Sequence, residues 1–283
     1  MKGVRELRRK RKIKYGWGSI LILLVILFAK GNLSTIKTQL NAPITSVTST
    51  AKNLVQKNNQ TKNTAQSSLN YISGENAFVN VNNGKSTLSI NSWKNNQFTY
   101  NALDSLNRTS TANIAYLEPR NLANDSLRER QYVEPTGWHQ KYVNGEPIIN
   151  RGHLIAYSLS KGISTDGQYI PSLQSGDQNN LKNLFTQTAF SNQKIQTIYE
   201  SKVRNALKEG HKVVFEAHAI FRGNELMARG VQLQAVSDDG SLNFNVYIFN
   251  IQPGVSFDYT TGRSKVDTNM KVPTPANAPS FNE

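Results

Sequence analysis

Six side chains between residues 151 and 204 have types that suit the hydrolysis of a phosphodiester. They are Arg151, His153, Asn183, Asn192, Glu200 and Arg204. A histidine is a base that titrates near neutrality, and amide and carboxylate oxygens are ligands that a hard divalent cation accepts. An arginine is a permanent cation that suits a phosphate group. A base, a cation site and a phosphate clamp together indicate metal-assisted phosphodiester hydrolysis.

The histidine lies in the tetrapeptide Asn150-Arg-Gly-His153, which has apolar pairs on both sides. We expect this segment to be buried, with Gly152 in a backbone conformation that other residues rarely adopt. The apolar residues between 195 and 207 recur at helical spacing, and Ser191 or Asn192 is expected to cap this helix.

Glu200 and Arg204 lie one turn apart on that helix, and Asn192 lies about two turns before Glu200. The three residues can therefore border one site. Each also has a structural interpretation: the asparagine as a cap, and Glu200 with Arg204 as a surface ion pair. Asn183 could equally be a turn residue, and a single histidine between apolar pairs is often structural.

The other histidines fit a metal site less well. His211 and His218 are seven residues apart on a predicted strand, which places them on opposite faces. His139 follows a tryptophan in a turn, where a structural or substrate-contacting role is expected. The chain has no cysteine, which excludes disulfides, thiolate zinc sites and thiol nucleophiles.

Short strand patterns surround the site segments and predict an α+β domain. Residues 77–81 and 86–90 flank Asn83-Gly84, and residues 241–250 follow Asp239-Gly240, so both dipeptides predict hairpin turns. Further strands are expected at 98–103, 112–117, 212–221 and 226–236. Residues 161–182 form a long polar loop of the kind that carries function.

The N-terminal part of the chain has a different composition. Half of the formal charge of +14 lies in the basic segment 1–15, which precedes an apolar stretch at 16–29. We expect a transmembrane signal-anchor at 16–29, with a cleaved signal as the alternative, and a polar stalk at 30–70. A folded domain at 71–270 and a loose tail at 271–283 would then lie outside the cell, on a single-pass protein of the cell membrane.

The combination of Asn-Arg-Gly-His153 with the segments 183–192 and 199–204 resembles the DNA/RNA non-specific endonucleases of the ββα-metal (His-Me finger) class. The segments 135–139 and 244–262 are similar to its membrane-anchored members from streptococci and related Gram-positive bacteria. The resemblance implies a ββα-metal core on a central antiparallel sheet with flanking helices, preceded by one membrane anchor.

The resemblance also implies a role for each residue. His153 would be the general base, Asn192 the Mg²⁺ ligand, and Asn183 a support. Glu200 would hold the metal through water, and Arg204 would contact phosphate, with Arg151 in the catalytic set. Mn²⁺ is the expected substitute for Mg²⁺. The substrate-binding candidates are Arg128, Arg130 and Lys182, with Arg120 behind them.

The sequence therefore predicts a Mg²⁺-dependent endonuclease that cleaves DNA and RNA without sequence preference at the outer cell surface. DNA uptake, with uptake machinery as a partner, and degradation of extracellular DNA are the expected settings. Two alternatives stay open: a membrane-tethered DNA-binding receptor that does not cut, and a stalked adhesin whose basic face binds wall polymers.

Overall fold

The computed structural model describes residues 66–124, 126 and 128–280. The predicted basic segment, the membrane anchor and the stalk up to residue 65 lie outside these residues. Within the described part of the chain, no helix has the length and apolar character needed to cross a membrane.

A six-stranded antiparallel sheet forms the centre of the fold. In spatial order its strands are β1 (Phe78–Asn80), β10 (Asn243–Phe249), β9 (Gly230–Ser237), β8 (Val213–Ile220), β3 (Asn113–Leu117) and β2 (Gln97–Thr99). Most residues of β8, β9 and β10 are buried. Gly240, with a φ of 76°, forms the turn between β9 and β10, as Asp239-Gly240 predicts. The predicted α+β class and central antiparallel sheet are confirmed.

The predicted hairpin at Asn83-Gly84 is wrong. Both residues have the positive φ of such a turn, but β1 pairs with β10 instead of with the segment that follows. The reason is that residues after the turn bind to the sheet through polar groups. The backbone N–H of Thr87 donates to Gln234 Oε1 at 2.9 Å.

A second, two-stranded sheet and the helix after it form a ββα unit. β6 (Ile149–His153) pairs antiparallel with β7 (Leu184–Thr188). A π-helical segment, Ser191–Gln196, then leads into helix α1 (Thr197–Lys208). Tyr199 of α1 packs against Phe244 of the central sheet, with 5.2 Å between ring centroids, so the apolar face of the helix rests on that sheet.

Two small hairpins complete the fold. They are β4 (Tyr142–Val143) with β5 (Glu146–Pro147), and β11 (Val255–Asp258) with β12 (Arg263–Val266). A small apolar cluster of Ile148, Ile149 and Val255 joins them to β6. Val143 and Phe257 pack against this cluster. Both hairpins are therefore anchored beside the first strand of the ββα unit.

The two ends of the described chain contact the central domain. Leu69, in the predicted stalk, packs against the main core, and the guanidinium of Arg222 donates to its carbonyl. The tail from residue 271, predicted to be loose, is held up to residue 280. Val272 and Ala278 pack against the core, and Lys194 Nζ donates to the Pro279 carbonyl at 2.9 Å.

Candidate active site

A cavity of about 970 Å³ opens beside the ββα unit. Six of the predicted site residues line it: Arg128, Arg151, His153, Asn192, Glu200 and Arg204. Strand β6, the π-helical segment, helix α1 and the loop around residue 128 each supply part of its wall. The structure thus brings together residues that are up to 76 positions apart in the sequence.

The His153 ring is oriented by a backbone carbonyl. Its Nε2 atom lies 3.1 Å from the Gln178 oxygen, in the loop 161–182, and 3.3 Å from the Gln131 side chain. Because a carbonyl only accepts, Nε2 carries the proton in this contact and Nδ1 holds the lone pair. Burial, with the charge of Arg128 adding to it, lowers the pKa of His153 to about 4 although the Gln178 carbonyl opposes the shift. The imidazole is therefore neutral at physiological pH.

The Asn192 side chain is oriented by a chain of buried amides. Asn192 Nδ2 donates to Gln187 Oε1 at 2.9 Å, and Gln187 Nε2 donates to Gln196 Oε1 at 2.9 Å. Gln196 Nε2 then donates to the Glu200 carboxylate and to the His153 carbonyl, both at 2.8 Å.

The two acceptors bound by Gln196 fix the orientation of every amide in this chain. A carboxylate and a carbonyl only accept, so Gln196 must present its nitrogen to them and its oxygen to Gln187. The same reasoning applies to Gln187 and then to Asn192, whose nitrogen is turned toward Gln187 and whose Oδ1 is turned to the cavity. Asn150 Nδ2 donates to that oxygen at 3.2 Å, which leaves a second lone pair for a ligand.

Glycine is needed at position 152 because there is no room for a side chain, and not because the backbone conformation is unusual. It lies outside the set of glycines with positive φ, so the prediction from its flexibility is wrong. A Cβ atom at this position would lie 2.4 Å from Gln187 Oε1 and 2.5 Å from Gln187 Cβ. The absent side chain therefore lets the amide chain pass across β6.

Glu200, Arg204 and Arg128 form the charged side of the cavity. Glu200 and Arg204 lie 3.8 Å apart, and Arg204 also donates to Ser158 Oγ at 3.0 Å. Burial raises the pKa of Glu200, while the Gln196 hydrogen bond and the two arginines oppose that shift. Arg128 lies 5.5 Å from the centroid of the Tyr157 ring. The whole lining holds four cations, Arg128, Arg151, Arg204 and Lys208, against the two acidic residues Glu129 and Glu200, so the wall is net positive.

Arg151 also holds a neighbouring turn in place. Its Nε donates to the Val133 carbonyl at 2.6 Å, and its guanidinium lies 4.5 Å from the centroid of the Trp138 ring. The side chain therefore fixes the turn at residues 135–139 to β6 while it lines the cavity.

Three predicted residues lie elsewhere. Asn183 is fully buried. Its Oδ1 accepts from the Ile155 backbone N–H at 3.0 Å, and its Nδ2 donates to the Ile155 carbonyl at 2.9 Å. It can fix the chain after His153 but does not face the cavity. Lys182 and Arg130 are exposed and do not contribute to the cavity lining. Among the three upstream arginine candidates 120, 128 and 130, only Arg128 lines the cavity.

The start of the helix differs from the prediction. Neither Ser191 nor Asn192 is an N-cap, because Phe190 already has helical angles of −63° and −52°. The Ser191 hydroxyl donates instead to the Phe249 carbonyl, and the Asn192 amide joins the chain to Gln187. The π-helical turn thus places Asn192 at the cavity wall. Single π turns are often found at functional sites.

The remaining histidines do not line the cavity. His218 is buried, with its Nε2 2.9 Å from the Ser110 carbonyl. His211 precedes β8 and pairs with Asp238 and Asp239 at the β9–β10 turn, at 3.1 and 3.3 Å. Only His218 lies on β8, so the prediction that both histidines are on one strand is wrong for His211.

Comparison with known proteins identifies the family. The family model described as DNA/RNA non-specific endonuclease matches residues 85–239. The chain is similar to NucA from Streptococcus agalactiae with a magnesium ion bound, at 27% identity and a TM-score of 0.60, over 73% of this chain and 96% of that one. The metal-free structure of the same protein gives 27% identity and a TM-score of 0.59, over 73% and 95%.

A third solved structure, Sda1 nuclease with a bound zinc ion, shares the fold at 21% identity and a TM-score of 0.51, over 67% of this chain and 96% of that one. The match of the family model covers more than half of the chain and includes every residue that converges on the cavity. The protein therefore belongs to the DNA/RNA non-specific endonuclease family and is an enzyme that hydrolyses nucleic acid.

Proposed function

We propose that the protein is a Mg²⁺-dependent endonuclease that cleaves DNA and RNA without sequence preference, with His153 as its general base. The observation that carries this proposal is the convergence of His153, Asn192 and Glu200 on one cavity that three arginines also line. Membership of the family supports nucleic acid as the substrate.

The donor set at the cavity suits a hard cation. Asn192 offers a neutral amide oxygen, and Glu200 offers a carboxylate that can hold a metal-bound water. No cysteine occurs in the chain, and His153 has its Nε2 engaged by a carbonyl. When bound, Mg²⁺ stabilises the charge that develops on the phosphate and on the leaving oxygen. The Mg²⁺-bound NucA supports this choice, and Mn²⁺ is the expected substitute.

His153 moves the proton in the proposed reaction. Its Nδ1 lone pair accepts a proton from the attacking water, and the Gln178 carbonyl stabilises the imidazolium that results through its bond to Nε2. The lowered pKa keeps the ring in its basic form down to mildly acidic pH. Glu200 faces the same cavity and, when ionised, can accept a hydrogen bond from water.

Arg204 and Arg128 bind the scissile phosphate in this proposal. Both are permanent cations at the wall, and fixed positive charge is worth most where negative charge grows in the transition state. Contacts to phosphate and sugar carry no sequence information, so cleavage is expected to be non-specific and sensitive to salt. Arg130 and Lys182, which are exposed outside the cavity, would then contact the nucleic acid beyond the scissile phosphate.

The proposed location is the outer cell surface. The basic segment 1–15 and the apolar stretch 16–29 are the basis for a single N-terminal anchor with the nuclease domain outside the cell, where taken-up or free DNA is available. Protease treatment of intact cells would digest the domain at this location. Digestion only after lysis would contradict the proposal.

Plasmid relaxation tests the reaction. The purified protein should nick supercoiled plasmid in Mg²⁺ and stop in EDTA. Asn192→Ala should lower the nicking rate by more than roughly 10–100-fold, which is the loss expected when a residue that only hydrogen-bonds to a metal ligand is removed. Asn269→Ala, an exposed asparagine outside the cavity, is the matched control. DNA retention without nicking by the wild-type protein would favour the receptor instead, and full activity of Asn192→Ala would remove the metal ligand from the proposal.

A further inference from the structure

One exposed aromatic side chain stands in the wall of the catalytic cavity. Among the described residues, the exposed large hydrophobic side chains are Ile72, Val79, Tyr132, Tyr142, Ile170, Leu181 and Val266. Of these only Tyr142, which is 64% exposed, lines the cavity. A large ring that water covers on most of its surface, beside a site for a polymeric substrate, is a feature that the fold alone does not require.

The β4–β5 hairpin turns this ring toward the cavity. Asn144 and Gly145, with φ of 54° and 85°, form its turn. Val143 packs on the small apolar cluster of Ile148, Ile149 and Val255, which anchors one face of the hairpin. Tyr142 lies opposite Pro147, so their side chains share the other face, and both line the cavity.

The neighbouring aromatic side chain of the cavity is already covered. The Arg151 guanidinium lies 4.5 Å from the centroid of the Trp138 ring, so that ring is used within the protein. Among the described residues, the Tyr142 side chain has no aromatic ring packed against it and no hydrogen bond to its hydroxyl; its backbone pairs within the hairpin. Its ring is therefore available to a ligand with a planar apolar surface.

We propose that Tyr142 stacks on an unpaired nucleobase of the substrate, so that the site prefers single-stranded or locally unpaired nucleic acid. This inference rests on the proposed nuclease function. Every base has a π face, so stacking holds a strand without reading its sequence. A base inside a duplex has both faces covered by its neighbours and cannot stack on the protein unless it leaves the helix.

The test combines a change in the protein with a change in the substrate. A 5′-labelled single-stranded DNA carries one abasic residue at successive positions, and cleavage at each bond is measured under single-hit conditions in Mg²⁺. In the wild type, loss of the stacked base should slow cleavage of one nearby bond by about ten-fold. Tyr142→Ala should slow cleavage of the intact strand by a similar factor and be indifferent to the abasic residue.

Two further variants separate stacking from folding. Tyr142→Trp keeps an aromatic face and should retain wild-type cleavage and its abasic sensitivity. Tyr132→Ala removes a ring that is 74% exposed but outside the cavity lining, and should behave as wild type. A duplex of the same sequence should show a smaller effect of Tyr142→Ala than the single strand does.

The proposal is overturned if Tyr142→Ala keeps the wild-type sensitivity to the abasic residue, or if it slows duplex and single strand equally. Either result would leave the nuclease function intact, because the wild type would still cut. Failure of the wild type to cut any strand in Mg²⁺ would instead overturn the proposed function.

Discussion

Replacing Gln196 by leucine removes the side chain that joins three parts of the site. Its amide donates to the His153 carbonyl and to the Glu200 carboxylate, both at 2.8 Å, and accepts from Gln187 at 2.9 Å. Leucine is similar in size and can make none of these bonds. Gln196 is fully buried, so water cannot replace them without opening the structure.

The size of the effect follows from these three bonds. A buried hydrogen bond contributes about 1 kcal/mol net, so the free energy of unfolding should fall by about 3 kcal/mol. The side-chain nitrogen of Gln187 also loses its only described acceptor, which frees that side chain to rotate and to release the Asn192 amide. Loss of a residue that orients a metal ligand by a hydrogen bond typically lowers metal affinity or activity by about 10–100-fold. We expect kcat/KM and the apparent affinity for Mg²⁺ to fall within this range.

The assay needs a control that loses a comparable buried amide elsewhere. Gln234 is 5% exposed, donates to Glu216 at 2.7 Å and accepts from Thr87 at 2.9 Å, and it does not line the cavity. Gln234→Leu should lose stability in urea but keep kcat/KM and Mg²⁺ dependence below its unfolding midpoint. If Gln196→Leu kept wild-type kcat/KM while folded, or if both variants lost activity equally, the positioning argument would be refuted.

Three further predictions address other parts of the site. Gly152→Ala should lower kcat/KM by about 10–100-fold, because the new Cβ displaces the Gln187 side chain. Unchanged activity would contradict the close packing of Gln187 on Gly152. In an NMR titration of the metal-free protein, the His153 ring should protonate near pH 4 and be neutral above it, since burial lowers its pKa; a midpoint at 6.5 would refute this. Arg204→Ala should reduce the slope of log binding affinity against log salt by about 1, whereas Lys85→Ala, outside the cavity, should leave it unchanged.

Local patterns in the sequence predicted much of the central sheet and of the main helix. Strands β8, β9 and β10 and the Asp239-Gly240 turn follow from alternation and turn chemistry between adjacent segments. The Asn83-Gly84 hairpin failed although its turn residues have the expected φ, because β1 finds its partner more than 160 residues away. Pairing at that distance leaves no local signal.

The candidate site was predictable by residue type but not by geometry. His153, Asn192, Glu200 and Arg204 meet at the cavity as expected, whereas Asn183, from the same stretch, turns its amide to the backbone of Ile155. The two residue types are identical. Asn183 ends the turn before β7 and Asn192 lies in the π-helical segment after it, and these local conformations, which the residue type does not encode, decide what each side chain faces.

The glutamines of the amide chain were missed altogether. Gln187 and Gln196 look like ordinary polar positions on a strand and a helix, and no spacing rule connects them. One signal was available: Gln196 lies four residues before Glu200, which places the two side chains one helical turn apart. Gln187 lies opposite Asn150 in the β6–β7 pair, which becomes visible only once the register is known.

Chemical rescue of His153→Gly tests the central claim most directly. Single-turnover cleavage of a labelled DNA in Mg²⁺ would be measured with and without imidazole in the buffer. Removal of a general base should slow the reaction by about 10²–10⁴-fold, and free imidazole should restore part of the rate because the cavity can admit it. A His153→Gly protein that cleaves as fast as the wild type in the absence of imidazole would contradict the account.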